Sequence, residues 1–127
     1  MSPLDHLAFM VGSWQIQGHL QGRPITGRAT VERSGVGLLY REVIDGYEDL
    51  CLYRVDAHGE LEVHHFSEDG AFRHAVHVMD DGRGVHWVPN SPLGPVVRAL
   101  PLPEGFLIEV SHRDSDGPEV SLQFRPA

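Results

Sequence analysis

The sequence predicts an all-β domain of ten antiparallel strands, running up and down and closing into a single barrel, with a short N-terminal helix capping one end. Two observations predict it. Glycine recurs at Gly35, Gly46, Gly59, Gly70, Gly82, Gly94, Gly105 and Gly117, a beat of 11 to 13 residues. Most of these lie in the turn dipeptides Asp45-Gly46, His58-Gly59, Asp69-Gly70, Asp81-Gly82, Glu104-Gly105 and Asp116-Gly117, where glycine accepts the positive φ of tight hairpins and Asp favours the same turns. Between the turns lie short runs of strand length with no long crossover, which describes one meander. A flat sheet of ten short strands would leave two edges open to aggregation, and closure removes them. At 127 residues the chain is one domain, 1–127, large enough to bury a core.

Taken in order, residues 2–11 form the helix. Ser2 is a suitable N-cap, Pro3 suits the first helical position, Asp5 complements the helix dipole and Gly12 ends it. Leu4, Leu7, Ala8 and Val11 would share the face that packs on the barrel. The strands follow at about 14–20, 25–33, 38–44, 49–55, 60–66, 71–79, 83–88, 96–100, 106–112 and 119–125.

Which residues face inward follows from parity, because side chains alternate along a strand and paired residues share a face. Trp14, Ile16, Gly18 and Leu20 start the inner face, and a turn at Gly22-Arg23 continues it through Ile25, Gly27, Ala29 and Val31. A three-residue turn at Ser34-Gly35-Val36 then carries Leu39, Arg41 and Val43 inward, and Leu50, Leu52 and Arg54 follow. His65, Phe72, His74, Trp87, Ile108, His112 and Phe124 complete the relevant part of the inner face. Gly18, Gly27 and Ala29 are small and would leave space inside. The same parity puts Tyr40, Cys51, Tyr53 and Phe66 outside, an apolar patch suited to a homodimer. A different count through the Asp45-Gly46 loop would turn Tyr40, Glu42, Cys51 and Tyr53 inward instead.

The segment Leu7-Ala8-Phe9-Met10-Val11-Gly12-Ser13-Trp14-Gln15-Ile16-Gln17-Gly18 resembles the opening of the calycin-type barrels, in which a short helix leads into a Gly-x-Trp strand and the tryptophan plugs the barrel floor. Through Gly37-Leu38-Leu39-Tyr40-Arg41-Glu42 and its Asp-Gly turns, the chain is similar to a lipocalin-like bacterial family of unassigned function. It is more distantly similar to nitrobindin and the fatty-acid-binding-protein-like barrels. Gly12, Trp14 and Gly18 match the nitrobindin opening, whereas Ile16 replaces its middle glycine. The resemblance implies a calycin-like ligand-binding barrel, with haem as one ligand such a barrel holds.

Composition narrows the function. The formal charge is −8 and every basic residue is Arg, which argues against nucleic acid or an anionic membrane as a partner. One cysteine, Cys51, forbids an internal disulfide, and the N-terminal residues lack the pattern of a signal peptide, so a cytoplasmic protein is expected. Nine histidines invite a metal reading, but none lies two residues from another, the spacing that would put two ligands on one face of a strand. A turn at Asp69-Gly70 would set His65 opposite His74. The expected function is non-catalytic binding of a small hydrophobic or amphipathic ligand, anionic if Arg41 and Arg54 clamp it. Arg41, Arg54, His65, His74, Trp87, His112, Phe72 and Phe124 are the candidate ligand-binding residues. Haem or metal held by an inward His, and an acid–base enzyme of isomerase or decarboxylase type, are the alternatives.

Overall fold

The computed structural model describes residues 2–92, 94–112 and 117–127. Its strands are β1 Gly12–Leu20, β2 Arg23–Ser34, β3 Gly37–Ile44, β4 Tyr47–Val55, β5 Leu61–Ser67, β6 Gly70–Val78, β7 Val85–Trp87, β8 Val96–Leu102, β9 Gly105–Ser111 and β10 Val120–Pro126. Each pairs antiparallel with its sequence neighbours, and β1 pairs with β10 to close a ten-stranded barrel. The expected ten strands and the all-β class are therefore present. Residues 114–116 of the expected loop before β10 lie outside the described residues.

The N-terminal helix, Pro3–Met10, is a 3-10 helix capped by Ser2, whose hydroxyl accepts from Leu4 N while the Asp5 carboxylate accepts from Ser2 N. Its three-residue period changes the buried face. Leu4, Leu7 and Met10 align, Leu7 and Met10 are fully buried, and Val11, expected inward, is 42% exposed.

This helix closes one end of the barrel. Trp14 donates its indole N–H to the Met10 carbonyl at 2.8 Å, and its ring meets Phe106 edge-on at 5.1 Å. Phe106 stacks on Phe124 at 4.1 Å and receives the edge of Phe9 at 5.9 Å. The floor is thus an aromatic plug, and Phe124 belongs to it rather than to a ligand pocket.

The turns explain where parity held and where it slipped. Ser34 pairs with Gly37, so the β2–β3 turn holds two residues, Gly35 and Val36, instead of three. Val31 therefore faces with Tyr40, and Ala29 with Glu42. The Asp45-Gly46 turn has φ of 50° and 83° and pairs Ile44 with Tyr47, which carries the shift into β4. A one-residue change of register moves every side chain to the opposite face. Hence Leu38, Tyr40, Glu42, Cys51 and Tyr53 point inward, while Arg41 and Arg54 lie exposed on the outer wall. The longer β4–β5 connection restores parity, since Tyr53 pairs with Val63 and Cys51 with His65.

Two expectations are corrected by this placement. The homodimer patch does not form, because Tyr40, Cys51 and Tyr53 are interior and only Phe66 of that group is exposed. Gly18 and Gly27 do not open interior space either. A Cβ on Gly18 would strike the Ser121 carbonyl, and one on Gly27 the Val43 carbonyl, so these glycines let neighbouring strands bend close together.

Candidate functional site

Away from the helix the barrel stays open around a cavity of about 650 Å³. Its two sides differ chemically. One wall is apolar, built from Ile25, Val97, Ile108, Val110, Val120 and Leu122. The other, on β3–β6, carries nearly all the polar chemistry. Tyr40, Cys51, His65 and Phe72 form one cross-strand row, each the pairing partner of the next. One step nearer the mouth, Glu42 pairs with Asp49, and one step deeper, Tyr53, Val63 and His74 form a third row. Trp87 from the short β7 closes the corner. Its indole N–H donates to the Tyr53 hydroxyl at 3.1 Å, and its ring lies 5.5 Å from His65 and 5.2 Å from His74.

The carboxylates are the unexpected component. Tyr40 donates its hydroxyl to Glu42 Oε1 at 2.5 Å, and His65 Nε2 stands 3.5 Å from Asp49 Oδ1. Burial pushes the Glu42 carboxyl up to about 7. The Tyr40 hydrogen bond opposes this rise, and Asp49 adds to it. Asp49 goes the other way: its hydrogen bond with His65 holds it below the ordinary carboxylate range, against a smaller effect of burial. Burial raises the Tyr40 and Tyr53 hydroxyls and the Cys51 thiol, with Glu42 adding to each.

Of the residues expected to bind ligand, the structure brings His65, His74, Phe72 and Trp87 together in this cavity. The His65 and His74 backbones are not opposed as expected, because His65 pairs with Phe72 and His74 with Val63. The two rings meet instead across Trp87. Arg41 and Arg54 are outside. Arg54 joins Arg73 and His64 around Glu62, with Arg54 Nε at 3.4 Å from Glu62 Oε1 and Arg73 Nε at 2.5 Å from Oε2. His112 lies beyond the end of β9, exposed, with Nδ1 2.9 Å from Glu119 Oε2.

Sequence reasoning left out Asp49 and had Tyr40, Glu42, Cys51 and Tyr53 inward only as the alternative count, which the two-residue turn at Gly35-Val36 selects. The Asp45-Gly46 dipeptide carried part of the signal, since a two-residue turn there pairs Glu42 with Asp49 whichever face they take.

A haem would need an imidazole nitrogen directed into the open bowl with clear space beside it. His65 Nε2 faces Asp49, His74 Nδ1 lies 3.2 Å from the Val88 carbonyl, and Trp87 packs against both rings. The Val88 bond leaves His74 Nε2 as the ring nitrogen that could meet an iron, while Trp87 occupies space beside both rings. Among the described residues no three His, Cys, Asp or Glu side chains converge to hold a metal ion, and no helix is long and apolar enough to cross a membrane. Comparison of the chain with family models, curated proteins and solved structures yields no significant match.

Proposed function

We propose that the barrel binds a small, mostly apolar molecule in its open-end cavity, as the calycin-type barrels that its Gly12–Gly18 segment resembles do. The observation that carries this reading is the cavity itself. At about 650 Å³ it lies within the range of small-molecule sites, and it combines an apolar wall with a few convergent polar groups. A space lined this way gains little from water, so an apolar body entering it is favoured by the surface it removes from solvent. The inward arginines that pointed to an anionic ligand are on the outer wall, so the anion preference is not carried forward.

Decan-1-ol tests the reading. At a concentration about 100-fold above its Kd, a ligand specific to the folded state adds about 2.7 kcal/mol, a rise in Tm of about 5–10 °C. The expected result is that rise, with quenching of Trp87 fluorescence, and loss of both in a Val97→Trp variant that fills the cavity. Failure of alkyl alcohols, amines and carboxylates alike to shift Tm would remove the proposal.

One observation favours a second reading, acid–base chemistry: the Asp49–His65 pair stands beside a carboxyl raised to about 7. On that reading, 2-decanone in D2O exchanges its α-protons faster with the protein than in buffer, and His65→Gln abolishes the excess. Exchange at the buffer rate eliminates it.

A further inference from the structure

The geometry points to a cationic amphiphile, a protonated amine on an apolar body, as the ligand class of this cavity, with the ammonium seated between Glu42, Asp49 and Cys51 and the body against Trp87 and the apolar wall. The inference rests on the binding reading and adds the charge of the head group.

Three independent features converge on it. The first is charge. The cavity lining contains Glu42, Asp45 and Asp49, but among the described residues its only Arg is Arg23, exposed at the mouth. The interior carboxylates therefore face no permanent cation. His65 answers Asp49, and Glu42 meets the neutral Tyr40 hydroxyl and the neighbouring Asp49 carboxyl, neither of them a cation. A buried carboxylate is costly unless paired, and an incoming ammonium supplies the missing partner while satisfying its own N–H groups.

The second feature is Cys51. It is 4% exposed, lies in the cross-strand row between Tyr40 and His65, and lines the cavity as a free thiol. Held as a neutral thiol by burial, it adds no competing charge where it lines the cavity beside the two carboxylates.

The third is the aromatic surround. Trp87 and Tyr53 meet at 6.3 Å and 66°, and Phe72 stands at the mouth, 46% exposed. Ring faces attract cations and adapt to apolar bodies, whereas they offer nothing to a carboxylate. The net charge of −8 adds long-range attraction of the same sign.

Decylamine, decan-1-ol and decanoate share one apolar chain and differ in head group. They are titrated calorimetrically against the full chain at pH 8 in 0.15 M salt, which screens exposed charges, and below micelle-forming concentrations. The expected result is that the ammonium binds at least 10-fold more tightly than the alcohol and at least 100-fold more tightly than the carboxylate. Glu42→Gln, nearly isosteric, lowers the ratio of amine to alcohol affinity, both measured on the variant, by at least 5-fold. Asp49→Asn weakens the amine likewise. Equal binding of all three heads, preference for decanoate, or an amine preference that survives both substitutions overturns the inference while leaving the binding reading intact. If no head group binds, both fall.

Discussion

Replacing Phe106 by Ala should destabilise the protein by about 3–5 kcal/mol, the upper range for removing a buried aromatic. Phe106 is fully buried and touches three other rings: Phe124 in a stack, Trp14 and Phe9 at their edges. The cost has two sources. Apolar surface is lost from the core, and the ring pairs lose their specific geometry. The plug also cannot collapse easily, because Trp14 is held by its bond to the Met10 carbonyl and strands on all sides fix the remaining rings. Urea unfolding measures the effect as a lower midpoint with unchanged slope. Phe106→Leu, which keeps most of the volume, should lose about 1–2 kcal/mol. An alanine variant within about 1 kcal/mol of the parent would mean that the floor is not the core of the fold.

The second large effect depends on pH. Glu42 is raised from 4.5 to about 7 in the folded protein, whereas in the unfolded chain it titrates near its ordinary value. Between those two values the folded state holds a proton that the unfolded state has released, so this group makes stability fall as pH rises through that window. Above it the full penalty applies, at most about 3–4 kcal/mol by the free energy of such a displacement. Glu42→Gln removes the ionisation and keeps an acceptor for Tyr40, a weaker one. The variant should therefore be about 2 kcal/mol more stable than the parent at pH 8, and about equal to it or slightly less stable at pH 4. The facing groups Asp49, His65 and Cys51, with Arg23 and Asp45 at the mouth, are the same in both proteins. Paired denaturation curves at several pH values give the comparison, and a gap that stays constant from pH 4 to pH 8 would contradict the assignment.

How much of this was legible in the sequence varies along the chain, for physical reasons. The turns were legible, because glycine and Asp-Gly pairs mark backbone conformations that few other residues adopt. Facing was legible where only one face is apolar. In β1, Trp14 and Ile16 alternate with Gln15 and Gln17, and the structure buries the first pair. In β3 and β4 both faces carry large apolar residues. Leu39, Leu50 and Leu52 on one side compete with Leu38, Tyr40, Cys51 and Tyr53 on the other. Composition then could not check the count, and one residue too many in the turn at Gly35-Val36 exchanged Arg41 for Glu42. The polar half of the cavity was lost with that exchange. Its apolar half and the Trp87 corner were recovered, because β6 and β7 lie beyond the loop that restores the parity. The 3-10 geometry of Pro3–Met10 could not be read from capping residues, which suit either helix type; only packing on the floor selects the three-residue period.

The β1–β10 ladder sets the timing of folding. Trp14 pairs with Pro126, and Leu20 with Val120, so the first strand takes its last neighbour from the tenth. During synthesis β1 can pair with β2 early, but its other edge stays open until residue 126 has left the ribosome. Closure is therefore a late, long-range step, and a slow one by the general relation between contact distance and rate. Until it happens, Trp14 has no complete floor to plug, since Phe106 and Phe124 arrive only with β9 and β10. A nascent chain stalled before β10 would carry nine strands, two raw edges and no closed compartment for a ligand.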